Sequence, residues 1–230
     1  MKSLSQIFAK LILTAFTTII IITACNSPVE SNNVINSGDV SEVLKAMPIE
    51  EINSDENEGL VFMREEEKLA RDIYLVLYKK WNANVFNNIS KSEQKHTDAI
   101  KILLDKYQIT DPVISDEVGV FSNPDLQALY NTLIEKGNTS LIEALKVGAA
   151  IEEIDILDLQ KNLEKVDNED ITYVYNNLMR GSRNHLRAFN QNLEAQEVDY
   201  KAQYLDQDQF EAIVSTGIEK GSNRGRGRNR

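Results

Sequence analysis

The chain is poor in soft and imidazole ligands. One cysteine, Cys25, and two histidines, His96 and His185, stand in 230 residues. A disulfide framework, an all-cysteine zinc site and a histidine-rich metal cage all need more than this. Ten glycines and four prolines are too few for a repeat-rich or low-complexity protein. Phosphate loops, dinucleotide fingerprints and nucleophile triads are missing, so nucleotide-dependent and hydrolase readings find no support. Positive charge is scarce: 25 Lys and Arg face 36 Asp and Glu, for a net charge of −11. That charge is uneven, at +2 over residues 1–24, +4 over 219–230 and −17 between them. So acidic a surface excludes nucleic acid as a partner. What is present is a 42% hydrophobic chain that can bury a core and whose chemistry must rest on carboxylates.

Residues 1–24 read as an export signal. Lys2 and Lys10 precede an apolar run from Leu11 that ends in small residues and is short for a membrane span. Ile22-Thr23-Ala24-Cys25 resembles the lipobox of bacterial lipoproteins. That resemblance implies lipidation of Cys25 and an exported domain anchored to a bacterial membrane, with each buried CH₂ contributing roughly 0.8 kcal/mol. The polar stretch after Cys25, over 25–56, reads as a flexible tether. Residues 219–230, rich in Gly and Arg, read as a disordered basic tail.

Between them, residues 57–218 read as one all-α domain. Apolar residues recur at helical spacing over about 58–81, where Met63, Ala70, Ile73, Tyr74, Leu77 and Trp81 share a stripe. A second helix spans about 85–107 and carries Phe86, Ile89, Ile100, Leu103 and Tyr107. Asn123-Pro124 opens a short helix ending near Gly137. Ser140, with Glu143 completing a capping box, opens a third long helix to about Val166. Asp167-Asn168 caps a fourth over about 169–195, and an amphipathic piece, Gln209 to Ser215, docks outside. Two close pairs of helices joined by a connection of about thirty residues predict a four-helix bundle with one long crossover containing a short extra helix.

Each long helix carries polar residues on its apolar stripe near mid-length: Glu67, Glu93 with His96, Glu152 with Asp155, and Ser182 with His185. A carboxylate in a dry core is costly unless it is paired or bound to metal. Counted from the two inter-helix turns at 1.5 Å per residue, these positions fall at one level to within roughly 9 Å. Glu93-Gln-Lys-His96 is an E-x-x-H step, which sets a carboxylate and an imidazole on one helix face. Oxygen ligands with imidazole suit iron, with manganese and zinc as the other candidates. The competing readings are a buried Glu93–His96 ion pair that fixes helix register, Glu153 in place of Glu152, and His185 as a core histidine. Arg180, Arg183 and Arg187 read as a solvated face.

These residues are similar to the ferritin-like superfamily, whose members hold a dinuclear metal site with one Glu on the first and third helices and E-x-x-H on the second and fourth. Glu67, Ala70 and Tyr74 match the first-helix pattern and favour Glu67 over Glu65 and Glu66. Met63-Arg-Glu-Glu-Glu-Lys-Leu-Ala-Arg71, Ser92-Glu-Gln-Lys-His96, Gly148-Ala-Ala-Ile-Glu-Glu-Ile-Asp155 and Gly181-Ser-Arg-Asn-His-Leu-Arg187 together resemble a ferritin-like family of exported prokaryotic domains. The resemblance implies metal ligation by Glu67, Glu93, His96, Glu152 and His185. The fourth helix departs from the pattern, with Ser182 where Glu is usual, so Asp155, Ser182 and Tyr74 become candidate extra ligands or their supports.

Two functions follow. One is an exported, membrane-anchored protein that binds one or two transition-metal ions and oxidises the metal or consumes peroxide. The other is a non-catalytic, lipid-anchored module that buffers metal or binds a partner protein. Whether two copies pair as a homodimer is open at this point.

Overall fold

The architecture follows from helix signals that are mostly local. The computed structural model describes residues 37–221, and among them it contains seven α-helices and no strand. They are α1 (Ser37–Ala46), α2 (Ser54–Trp81), α3 (Asn84–Lys106), α4 (Pro124–Gly137), α5 (Leu141–Leu163), α6 (Glu169–Glu194) and α7 (Gln207–Val214). The export segment with Cys25, and the Gly/Arg run over 222–230, lie outside the described residues. No described helix is long and apolar enough to cross a membrane.

Asn53 starts α2 with a full capping box: its side chain accepts from Glu56 N and its N–H donates to Glu56 Oε2, both at 2.9 Å. Asn82 ends the helix in the left-handed region at φ 52°, where asparagine is better tolerated than most residues, and α3 begins two residues on. At Ser140 the capping box is half formed. Ser140 Oγ accepts from Glu143 N at 3.1 Å, while the Glu143 side chain turns to Lys146 at 2.9 Å. The Asn168 side chain does not cap α6; it donates to the Tyr107 hydroxyl at 3.2 Å. The free N–H groups of Asp167 and Asn168 donate instead to Glu56 Oε1 at 3.2 and 3.1 Å, so one carboxylate serves two helix starts.

Helices α2 and α3 pack along their lengths, as do α5 and α6, and the pairs meet through α2 with α5 and α3 with α6. Helix α4 lies in the connection between the pairs and touches both α2 and α5. The apolar core falls into two clusters. One gathers Tyr74, Phe86, Ile89, Ile151, Leu186 and Phe189. The other gathers Leu60, Met63, Ile100, Leu159, Tyr175 and Leu178. On every long helix the polar mid-length residues fall between a member of one cluster and a member of the other, so the polar layer divides the core.

The tether expected over 25–56 is corrected in part. Val40 and Leu44, four residues apart and so on one helical face, are buried in the second cluster. Lys106 Nζ then ties down the end of α1, donating to the carbonyls of Leu44, Met47 and Pro48 at 3.0, 3.1 and 3.0 Å.

Candidate metal centre

The run from Arg64 to Asp72 shows how the helix distributes charge. Arg64 forks onto Asp111, with Nε to Oδ1 at 3.1 Å and a terminal nitrogen to Oδ2 at 3.0 Å. Glu65 Oε2 accepts from the N–H of Asn123 at 3.1 Å and so caps α4. Lys68, 1% exposed, spends its three protons on Asp72 and on the carbonyls of Glu117 and Val120. Glu66 faces α5, as part of a small cavity lined by Leu69, Ile151 and Ile154. Only Glu67 turns to the middle, because successive residues rotate by about 100° around a helix.

There it meets side chains from α3, α5 and α6. His96 Nδ1 lies 2.7 Å from Glu93 Oε2 and 3.2 Å from Glu67 Oε2. His185 Nδ1 lies 2.7 Å from Glu93 Oε1 and 3.4 Å from Glu152 Oε2. The two imidazoles stack with centroids 5.5 Å apart. Glu67, Glu93 and Glu152 are each 2% exposed. Two groups of donor atoms, one from Glu67, Glu93 and His96 and the other from Glu93, Glu152 and His185, each lie within 4.8 Å of one another. Glu93 belongs to both.

Support for these donors is specific. Tyr74 donates to Glu152 Oε1 at 2.6 Å, and its ring packs on Phe86 and Phe189. Gly181 lets His96 lie against α6: a Cβ there would stand 2.6 Å from both Cε1 and Nε2 of the ring. Gly148 does the same for Phe189, which a Cβ would meet at 2.4 Å. Beyond His96, under Val40 of α1, is an apolar cavity of about 20 Å³, room for about one water.

Burial raises the Glu67 carboxyl well above its ordinary range, and the charge of Asp155 adds to it. Burial opposes charge on Glu93 as well, but His96 and His185 outweigh it and hold that carboxyl well below the ordinary range. Against the same burial, Glu93 and Glu67 raise His96 well above its usual value, while Glu93 and Glu152 lift His185 to about 9. Without metal, therefore, ionised Glu93 sits between two protonated imidazoles. His96 Nδ1 hydrogen-bonds Glu67 Oε2, and His185 Nδ1 ion-pairs with Glu93 Oε1 at 2.7 Å outside good hydrogen-bond geometry, while Glu67 Oε1 is buried with no hydrogen-bond partner. A short N···O distance outside hydrogen-bond geometry, as between His185 and Glu93, suits donors that converge on a shared cation. Carboxylate oxygen and imidazole nitrogen are the donors iron, manganese and zinc accept, and three protein ligands per group leave coordination positions open.

Asp155 and Ser182 stand outside both groups. The Ser182 hydroxyl lies in hydrogen-bond contact with Asp155 Oδ2 and 2.9 Å from the Leu178 carbonyl. Burial and the nearby Glu152 charge push the Asp155 carboxyl up to about 8. Protonated Asp155 would donate to Ser182, freeing the one serine proton for Leu178. Glu153 is a different kind of residue from its neighbour Glu152. It accepts from the Tyr200 hydroxyl at 2.6 Å and from the N–H groups of Gln203, Tyr204 and Leu205 at 2.9, 2.7 and 2.9 Å, fixing the chain after α6.

The solvated arginine face expected on α6 is corrected. Arg187 is 4% exposed and donates to the Ile213 carbonyl, the Thr216 hydroxyl and Glu219 at 2.8, 2.9 and 2.7 Å. Arg183 pairs with the same Glu219. The first residue of the expected basic tail is thus held on α6. Sequence reasoning missed Arg187, Glu153 and the Arg64–Asp72 network as structural anchors; their one sequence signal is charge at positions the helical period sends inward.

Fold and site together define an all-helical protein with a buried carboxylate and histidine cluster that could hold a metal ion. The chain belongs to the uncharacterised protein domain family DUF2202, which matches residues 56–217. It is 54% identical over 183 residues to the uncharacterised protein MJ0754 of Methanocaldococcus jannaschii, covering 80% of this chain and 99% of that protein. The crystal structure of hypothetical protein MJ0754 is similar to this fold with a TM-score of 0.74, at 54% identity, over 76% of this chain and 99% of that one.

Proposed function

We propose that this chain is a ferritin-like four-helix bundle that binds one or two transition-metal ions, iron foremost, through Glu67, Glu93, His96, Glu152 and His185. The observation that carries this reading is the pair of three-donor groups sharing Glu93, with Glu67 Oε1 buried and without a hydrogen-bond partner. Bound iron would supply a Lewis acid and a redox centre. The protein's own part is to orient and to exclude water. Tyr74 fixes Glu152, Gly181 admits His96 against α6, and the two apolar clusters close the layer from both sides. Ser182, where the superfamily pattern has Glu, leaves the set at three carboxylates. The smaller set leaves a coordination position open, and metal oxidation or peroxide consumption there is the activity to test.

We further propose export and anchoring through lipidated Cys25. Cys25→Ser is expected to move the protein from the membrane to the soluble fraction, and retention in the membrane would refute the anchor. For the metal, the measurement is thermal unfolding of metal-free full-length protein with Fe(II), Mn(II) or Zn(II) added. At a hundredfold excess over Kd, binding stabilises by about 2.7 kcal/mol, a rise of roughly 5–10 °C for a domain of this size. No rise with any of the three ions would sink the reading.

A further inference from the structure

A second set of acids runs outward from the cluster. Glu66 and Asp155 are each 6% exposed. Glu66 Oε2 and Asp155 Oδ1 are buried without a hydrogen-bond partner. Helices α2 and α5 run antiparallel, since Gly59 stands against Asn162 while Tyr74, about four turns further along α2, reaches Gly148 and Glu152. In that register Glu66 lies level with Asp155. Glu152, Asp155 and Asp158 follow one another at three-residue steps along α5, so each neighbours the next. Asp158 opens the row to solvent: its side chain is 17% exposed and lies 3.9 Å from Lys161, itself 47% exposed.

Three acids in a row, two of them buried with an oxygen unpaired, are a standing cost to the fold. They do not form a holding site, because among the described residues only the two groups built on Glu93 bring three donors within 4.8 Å. What they offer is a succession of single oxygen ligands between solvent and the cluster. We propose that Asp158, Glu66 and Asp155 form a loading route, along which divalent transition-metal cations pass from the surface to Glu67, Glu93 and Glu152. This rests on the metal-binding reading of the cluster. Each acid would give up its proton to the arriving cation and offer it an anionic oxygen in turn, and the faster entry this allows is what the row supplies.

The test is rapid mixing of metal-free full-length protein with Co(II), followed by its visible absorption, for the wild type, Asp158→Asn and Glu66→Gln. Both substitutions keep size and remove an acidic oxygen ligand, and Asp158 is near the surface. Loading is expected to slow about tenfold or more in each variant, with final Co(II) content and spectrum unchanged. Added salt should slow the wild type more than Asp158→Asn. Loading at the wild-type rate in both variants would overturn the route while leaving the cluster intact. A loss of Co(II) content in Glu66→Gln would overturn it too, making Glu66 a ligand. If the wild type takes up no Co(II), the reading of the cluster itself fails, and the route with it.

Discussion

Replacing Gly181 with alanine separates the fold from the metal centre, because it acts on the two to different extents. Gly181 is helical, and alanine in a helix interior is favoured over glycine by about 0.8–1.0 kcal/mol. The new methyl, however, would stand 2.6 Å from Cε1 and Nε2 of His96, roughly 1 Å inside ordinary carbon contact. The ring cannot simply slide away, since its Nδ1 is held 2.7 Å from Glu93 and 3.2 Å from Glu67. Overpacking of this kind costs about 1–3 kcal/mol, so the metal-free protein should change by at most about 2 kcal/mol. Metal affinity should fall further, by about 10–100-fold, the range typical when a ligand's support is disturbed. Denaturant unfolding of the metal-free protein and competitive titration with a chromophoric chelator measure the two effects. Gly217→Ala, where a Cβ would meet nothing within 4 Å, is the control. Wild-type metal affinity in Gly181→Ala would refute the placement of His96 at the metal.

Three other substitutions probe the surroundings. Tyr74→Phe keeps the aromatic packing but strips Glu152 Oε1 of its donor; it should cost about 1–3 kcal/mol in denaturant unfolding and weaken metal binding. Glu153→Gln should destabilise by about 1–3 kcal/mol and expose residues 200–205 to limited proteolysis while metal content stays unchanged. Glu219, held by Arg183 and Arg187, has its carboxyl lowered from 4.5 to about 2. The stability it provides is therefore present above about pH 4.5 and lost as pH falls towards 2. Its exposure limits the contribution to about 1–2 kcal/mol, so Glu219→Gln should be less stable than the wild type at pH 6, with most of the gap closed at pH 2, in thermal unfolding.

The long helices were legible because each carries a 3.6-residue apolar stripe and signals at its ends. Asn82, Asn123 and Ser140 act where their residue types suggest. What local pattern could not show is long-range satisfaction of polar groups. The cap on α6 comes from Glu56, more than a hundred residues earlier, and Arg187 can be buried only because Glu219 returns to meet it. Helix α1 was hidden by its shortness, with Val40 and Leu44 alone marking its buried face. Within the site, the spacing of Glu93 and His96 and the stripe positions of Glu67, Glu152 and His185 placed five side chains that the fold does bring together. Asp155 was the ambiguous member; antiparallel packing sets it against Ser182 instead of an imidazole. Three adjacent glutamates, Glu65, Glu66 and Glu67, are all buried, so burial alone could never have chosen among them. Only the direction each one faces does.

The central claim is that the shared carboxylate of Glu93 holds metal between the two histidines. It is tested most directly by elemental analysis of full-length protein purified without chelator, beside Glu93→Gln prepared in the same way. The account predicts about one to two equivalents of a transition metal in the wild type. In Glu93→Gln, where both donor groups lose their common member, it predicts less than roughly a tenth of an equivalent. Equal metal content in the two proteins, or none in the wild type, would contradict it.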